Sequence, residues 1–102
     1  MSELTGQEIV RQIEAHRAEL AKLGVRRLEV FGSFARGEAG PESDIDLLVD
    51  YLPGRGRYRD YVDTVLLLSG LFSRKIDLVK THLLREELAP SILGGPRLNA
   101  QV

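Results

Sequence analysis

Two apolar segments joined by a polar loop constrain the fold of this chain more than any other feature. Val25–Phe31 alternates apolar and charged residues, which is typical of a half-buried β-strand, and Ile45–Tyr51 has the composition of a second strand. A Gly-Ser pair closes the first segment, and Asp44 and Asp46 open the second. Because residues two apart on a strand share a face, these two carboxylates are predicted to project together, away from the apolar face of their strand.

The chemistry of these residues predicts a site for a metal–nucleotide complex. Two neighbouring carboxylates repel each other unless a cation lies between them, and oxygen ligands at this spacing suit Mg²⁺ or Mn²⁺. The turn at Gly32 and Ser33 offers backbone N–H groups and a hydroxyl that can hold phosphate oxygens. The plainer alternatives are solvated carboxylates at a strand end and a strand-to-helix turn with Ser33 as the N-cap, although a capped helix start is itself an anion site.

The N-terminal segment is predicted to be helical. Thr5 begins a capping box, and apolar residues at helical spacing predict a helix from Gly6 to Leu23, which Gly24 ends. His16 lies within the apolar stripe of this helix. It is interpreted as a partly buried histidine rather than a ligand.

The rest of the chain completes an α+β fold. Turn residues and apolar spacing predict, in chain order, a helical turn at Ser33–Arg36, loops at Gly37–Ser43 and Leu52–Arg57, a helix from Tyr58 to Gly70, a strand at Lys75–Val79, a helix from Thr81 that is interrupted or kinked near Pro90, and a frayed end at Gly94–Val102. The predicted architecture is a small mixed β-sheet with helices packed mainly on one face. The other face carries Asp44, Asp46 and Asp77, and we expect it to be open to a ligand.

Length and composition narrow the possible functions. A chain of 102 residues is predicted to form a single domain over residues 1–102, with one core and one site. The absence of cysteine excludes disulfides, thiolate catalysis and Cys-based zinc sites, and it fits a cytoplasmic location. A net charge of −1 predicts no general attraction to nucleic acid or acidic membranes. The N-terminus lacks the pattern of a signal peptide, and the longest apolar run, Val65–Leu68, is too short to cross a bilayer.

One spacing carries a family resemblance. Ten residues separate Ser33 from Asp44-Ile45-Asp46, and a later strand contains Ile76-Asp77-Leu78-Val79. This pattern resembles the signature of the DNA polymerase β-like nucleotidyltransferase superfamily, whose third carboxylate lies on such a strand. The small size is similar to that of the minimal nucleotidyltransferase (MNT) proteins, the antitoxins of HEPN–MNT toxin–antitoxin pairs. The resemblance covers about Val25–Val79 closely and the flanking helices loosely.

The resemblance implies a role for each residue of the motif. Asp44 and Asp46 would hold two Mg²⁺ ions, with Mn²⁺ as an alternative, and Asp77 would bind the metal nearer the acceptor and help to deprotonate its hydroxyl. Gly32 and Ser33 would hold the β- and γ-phosphates. Arg36 would add positive charge beside the triphosphate.

The resemblance also implies a reaction and a partner. The implied reaction is transfer of AMP from ATP to a tyrosine hydroxyl of a cognate HEPN toxin, with which the chain would form a hetero-oligomer. A non-catalytic antitoxin that neutralises its partner by binding alone is the alternative. Modification of RNA or of a small molecule is disfavoured, because the chain lacks a basic surface and a second domain.

Several other residues have open interpretations at this point. Asp50 and Asp63 are rival third carboxylates, and Glu29 is at most a supporting residue. Arg55, Arg57 and Arg59 form a basic loop that is either solvated or in contact with phosphate or a partner. Tyr58 and Tyr61 are expected to lie in the core or at an interface, and modification of an exposed tyrosine is a further hypothesis.

Overall fold

The computed structural model describes residues 4–84, 87 and 89–102, and its centre is a four-stranded mixed sheet. The strands are β1 (Val25–Phe31), β2 (Ile45–Tyr51), β3 (Ile76–Lys80) and β4 (Leu98–Ala100). The helices are α1 (Gly6–Ala15), α2 (Arg17–Lys22), α3 (Gly32–Arg36), α4 (Tyr58–Phe72) and α5 (Ala89–Leu93), with a 3₁₀ turn at Thr81–Leu83. The sheet order is β3-β2-β1-β4, in which β2 and β3 are parallel and the other pairs are antiparallel.

The core lies on one face of this sheet, as the sequence pattern predicts. Alternate residues of β1, β2 and β3 point into it and meet apolar residues of α1, α2 and α4. The members with no exposed surface are Ile9, Ile13, Leu20, Leu28, Val30, Ile45, Leu47 and Leu68. The predicted α+β fold, with helices mainly on one face, is therefore confirmed. Leu48 is also buried although it shares a face with Asp46, so the other face is covered at its centre.

The N-terminal helix is broken at His16, whereas the sequence pattern predicts one helix from Gly6 to Leu23. Nδ1 of His16 hydrogen-bonds to the carbonyl of Gln12 at 2.9 Å, and the backbone N–H of His16 donates instead to Ile13. The side chain thus occupies the carbonyl that a continuous α-helix would have paired with the backbone. The histidine is partly buried, as expected, and Gly24 ends α2 with a φ of +81°.

The C-terminal segment is ordered, so the prediction of a frayed end at Gly94–Val102 is wrong. Leu98–Ala100 pairs antiparallel with β1, and Ala100 is only 2% exposed. The backbone N–H of Gln101 also donates to the Glu14 carboxylate at 2.9 Å, which ties this segment to α1. Tertiary pairing, rather than a local pattern, makes this segment a strand.

The single last helix predicted from Thr81 is a 3₁₀ turn followed later by α5. Pro90 lies in the first turn of α5, where its missing N–H is tolerated, rather than at a kink. Residues 85, 86 and 88 of the predicted helix lie outside the described residues.

The remaining predicted elements differ from the structure only at their ends. The predicted helix from Tyr58 to Gly70 extends to Phe72, and the third strand begins and ends one residue later than predicted. Within residues 4–84, 87 and 89–102, no helix is both long and apolar enough to cross a membrane.

Candidate active site

The Gly-Ser turn lies directly against one of the predicted carboxylates. Gly32 has a φ of +71°, a conformation that residues with a Cβ rarely adopt. A Cβ added at this position would collide with Oδ2 of Asp46 and would lie 3.1 Å from its Cγ. Phe31, the last residue of β1, is also the register partner of Asp46. Both the backbone conformation and the available space therefore require glycine here, and they place the turn beside Asp46.

The short helix α3 continues from this turn and carries the predicted phosphate-binding residues. It begins at Gly32, and its N-cap residue is Phe31, so the alternative that Ser33 is a helix cap is wrong. Phe34 is buried in the core and anchors the helix. Gly37 ends it with a φ of +74°. The half-buried Ser33 is thus held between Gly32, which contacts Asp46, and Phe34, which contacts the core.

Asp46 and Asp77 lie side by side on neighbouring strands. They are register partners in the parallel pair β2–β3, where adjacent strands are about 4.8 Å apart. Burial raises the pKa of Asp46 above its usual value, the negative charges of Asp77 and Asp44 raise it further, and Arg36 opposes them. The predicted grouping of Asp46 with Asp77 therefore has a geometric and an electrostatic basis.

Asp44 lies one residue before β2 and joins the same acidic face. Its Oδ2 lies 3.7 Å from Nζ of Lys75, but the two side chains are 43% and 72% exposed, so this ion pair contributes little to stability. Among the residues that the structure describes, no three carboxylate, histidine or cysteine side chains are gathered closely enough to hold a metal ion. The oxygen donors suit a hard cation in kind, and their repulsion around Asp46 would be relieved by one, but they do not form a ready-made cage.

Arg36 adds a positive charge beside this acidic face. Its Nε lies 3.2 Å from the Glu38 carboxylate, an exposed pair, and its charge acts on Asp46. A crevice of about 130 Å³ separates α3 from the C-terminal segment. Its lining residues are Phe31, Gly32, Arg36, Ser91, Ile92, Gly95 and Pro96. The sequence analysis did not predict that Ser91, Ile92, Gly95 and Pro96 would line a crevice beside α3.

The rival carboxylates lie elsewhere in the fold. Asp50 is at the opposite end of β2, paired in register with Arg27 and beside a cavity of about 420 Å³. Asp63 is on α4, beside Tyr58 and Arg59. Asp77, the register partner of Asp46, stays the predicted third carboxylate.

Glu29 has a structural role on the same face. Its side chain is only 13% exposed and lies 3.3 Å from Arg97 and 3.7 Å from Arg27. Since Arg97 directly precedes β4, this ion pair fastens the C-terminal strand to β1.

The basic loop and the two tyrosines divide into structural and exposed residues. Arg55 binds both carboxylate oxygens of Asp60 and the carbonyl of Lys22, and its hydrogen bond is the main reason that the pKa of Asp60 is about 2. Tyr61 packs against the core and donates to the carbonyl of Leu78. Tyr58 is 82% exposed, so the core is excluded as its location and an interface stays a prediction.

The sequence is similar to those of known nucleotidyltransferases. A family model described as a nucleotidyltransferase domain matches residues 10–94. The chain is 38% identical over 96 residues to the protein adenylyltransferase MntA of Thermococcus cleftensis. The alignment covers 91% of this chain and 94% of that protein.

Two solved structures are similar in fold. The structure of a proposed minimal nucleotidyltransferase superposes with a TM-score of 0.75 at 34% identity, covering 94% of this chain and 97% of that one. A toxin–antitoxin crystal structure with AMP-PNP superposes with a TM-score of 0.58 at 20% identity, covering 74% of this chain and 63% of that one. The second similarity concerns the fold alone.

Proposed function

The chain belongs to the nucleotidyltransferase domain family, and we propose that it is a protein adenylyltransferase that transfers AMP from ATP to a hydroxyl group of a partner protein. The observation that carries this proposal is the contact of Gly32 with Asp46, which is itself in register with Asp77. A phosphate-binding turn and an acidic pair are thereby adjacent, which is the arrangement that nucleotidyl transfer requires. The name of the Thermococcus cleftensis relative, which this chain matches over nearly its whole length, supports a protein as the acceptor.

The reaction is a displacement at the α-phosphorus of ATP. The acceptor oxygen forms a bond to this phosphorus, the bond to the oxygen that bridges to the β-phosphate breaks, and pyrophosphate leaves. The backbone of Gly32 and the hydroxyl of Ser33 hold the β- and γ-phosphates, and Arg36 offsets their negative charge. Asp77, which is exposed on the edge strand β3, accepts the proton of the acceptor hydroxyl.

Asp44, Asp46 and Asp77 would hold the divalent cations of this site. These would be two Mg²⁺ ions, with Mn²⁺ as an alternative. When bound, such ions neutralise charge on the phosphates and orient them. The donor set is all oxygen, and the pKa of Asp46 is raised by burial and by the two neighbouring carboxylates, which is the electrostatic situation that a cation relieves.

We further propose that the acceptor is a tyrosine of a HEPN toxin and that the chain acts as its antitoxin in the cytoplasm. Residues 1–102 would then act as one minimal nucleotidyltransferase domain in a hetero-oligomer with the toxin. The resemblance to minimal nucleotidyltransferases supports this partner. A non-catalytic antitoxin that works by binding alone is the second candidate, because the carboxylates among the described residues are not gathered into a metal cage.

Labelled ATP separates the two candidates. The protein is incubated with Mg²⁺, the product of the neighbouring gene, and ATP labelled at either the α- or the γ-phosphate. We expect the partner to gain the α-label but not the γ-label, and to gain neither with Asp44→Ala/Asp46→Ala. Asp50→Ala is the matched control on the same strand and should transfer normally. Tight binding of the partner with no transfer of label by the wild-type protein would establish the non-catalytic alternative instead.

A further inference from the structure

We propose that Arg74 is a positioning residue that holds Asp44 in place relative to α3, an inference that rests on the proposed function. Arg74 lies in the short link between α4 and β3, outside the motif that carries the family resemblance. Its side chain contacts both the loop that precedes Asp44 and the helix that contains Ser33. The two halves of the site are thereby joined through one guanidinium group.

The first contact is with the loop at residues 37–44. Nη1 of Arg74 donates to the carbonyl of Ser43 at 2.9 Å and to the carbonyl of Gly40 at 3.3 Å. The Ser43 carbonyl belongs to the peptide unit that contains the N–H of Asp44. Because a peptide unit is planar, fixing this carbonyl restricts the direction in which Asp44 leaves the loop.

The N–H of Glu38 donates to the carbonyl of Ser33 at 2.9 Å, which ties the start of this loop to α3. The other hydrogen bonds at residues 40–43 are local. The N–H of Gly40 donates to the Ser43 hydroxyl at 2.8 Å, and the N–H of Ser43 donates to the Gly40 carbonyl at 3.2 Å. These bonds close the turn at residues 40–43 on itself, but they do not fix its position relative to the sheet. The bonds from Arg74 cross 31 and 34 residues of sequence and supply that fixation.

The second contact is with Phe34 of α3. The guanidinium carbon of Arg74 lies 5.3 Å from the centre of the Phe34 ring, within the range of a cation–π interaction. Phe34 is buried and adjacent to Ser33, so its position determines where the phosphate-binding turn lies. Arginine suits this arrangement because its flat face can stack on a ring while its edge donates hydrogen bonds.

The backbone that follows Arg74 continues into β3, the strand that carries Asp77. The carbonyl of Lys75 accepts a bond of 3.0 Å from the N–H of Ile45, which begins the pairing of β2 with β3. Arg74 therefore lies where the strand that carries Asp77 first meets the strand that carries Asp46. Movement of this link would change the separation of all three carboxylates.

Two substitutions test the role of Arg74, with a third as a control. Arg74→Met keeps most of the apolar stem and removes the donors and the charge, and Arg74→Lys restores the charge. Arg55→Met is the matched control, because Arg55 also binds a backbone carbonyl, that of Lys22 at the end of α2, together with the Asp60 carboxylate, and does so at a distance from the acidic face. Arg55→Met should lower thermal stability without changing the requirement for divalent cation.

Hydrogen exchange measures the contact without reference to activity. In Arg74→Met we expect amide exchange within residues 37–44 to accelerate about tenfold or more, which is the loss expected for a hydrogen bond from a charged donor. Exchange in Arg55→Met should accelerate at residues 52–57 instead. Unchanged exchange at residues 37–44 in Arg74→Met would overturn the proposal, whether or not the wild-type protein transfers AMP.

The transfer assay then distinguishes positioning from general stability. We expect Arg74→Met to lower kcat/KM for AMP transfer about 10- to 100-fold and to raise the Mg²⁺ concentration needed for half-maximal rate, with partial recovery in Arg74→Lys. Wild-type kcat/KM and an unchanged Mg²⁺ requirement in Arg74→Met would refute a positioning role. Failure of the wild-type protein itself to transfer AMP would instead contradict the proposed function, and the exchange experiment would still decide the contact.

Discussion

Replacing Gly32 with alanine should strongly reduce the activity of the site while leaving the protein folded. The backbone at Gly32 has a φ of +71°, and this left-handed conformation costs about 1–2 kcal/mol once a Cβ is present. The added Cβ would also overlap Oδ2 of Asp46. The overlapped atom belongs to a side chain, so Asp46 can rotate away at little further cost in stability. Its displacement from the phosphate-binding turn should lower the rate of transfer about 100-fold or more.

Gly37 provides a matched control for this substitution. It has nearly the same φ, +74°, but a Cβ added there would meet nothing within 4 Å. Gly37→Ala should therefore lose the same free energy of folding, about 1–2 kcal/mol, and its melting temperature should fall by about 4–8 °C for each kcal/mol. Its activity should be unchanged. Thermal unfolding and the transfer assay together make the comparison. Equal activity in Gly32→Ala and Gly37→Ala would refute the contact between Gly32 and Asp46.

Three further predictions concern the carboxylates and β4. The pKa of Asp46 is raised by burial and by its acidic neighbours, so its charge lowers the stability of the folded state increasingly as pH rises above the unfolded-state pKa of 3.8. Asp46→Asn should therefore have a higher melting temperature than the wild-type protein at pH 7 without metal. A lower melting temperature would contradict the pKa shift. The pKa of Asp60 is lowered to about 2 by Arg55, so its charge stabilises the fold above pH 3.8, and this contribution is lost as pH falls through about 2. Asp60→Asn should be less stable than wild type at pH 7, and the difference should shrink as pH is lowered toward 2. Ala100 is 2% exposed on β4, so Ala100→Asp should cost roughly 3 kcal/mol in urea unfolding, whereas a frayed end would tolerate it.

The strands and turns that carry the site were predictable because their signals are local. Apolar alternation marks Val25–Phe31, and β2 begins and ends as predicted at Ile45 and Tyr51. A glycine at the end of a strand indicates a turn or a close approach of the backbone, and Gly32 does approach Asp46 closely. Asp77 also lies in a segment whose pattern predicts a strand, and the parallel pairing of β2 with β3 brings it beside Asp46.

The features that were not predictable depend on contacts between distant segments. Leu98–Ala100 has three residues and no distinguishing pattern, and it becomes a strand through pairing with β1 and the ion pair of Arg97 with Glu29. The bonds from Arg74 to Gly40 and Ser43 likewise leave no trace in local spacing. The helix is interrupted between α1 and α2 because the His16 side chain hydrogen-bonds to the carbonyl of Gln12. The position of His16 in the apolar stripe fits a continuous helix and gives no sign of this break.

Binding of a divalent cation tests most directly whether Asp44, Asp46 and Asp77 form a metal–nucleotide site with the Gly32 turn. Mn²⁺ can be titrated into the protein and followed by electron paramagnetic resonance, with and without a non-hydrolysable ATP analogue. We predict binding that the analogue strengthens in the wild-type protein and in Asp50→Asn, weaker binding in Asp77→Asn, and none in Asp46→Asn. Equal Mn²⁺ binding by Asp46→Asn and the wild-type protein, or none by either, would contradict this account of the site.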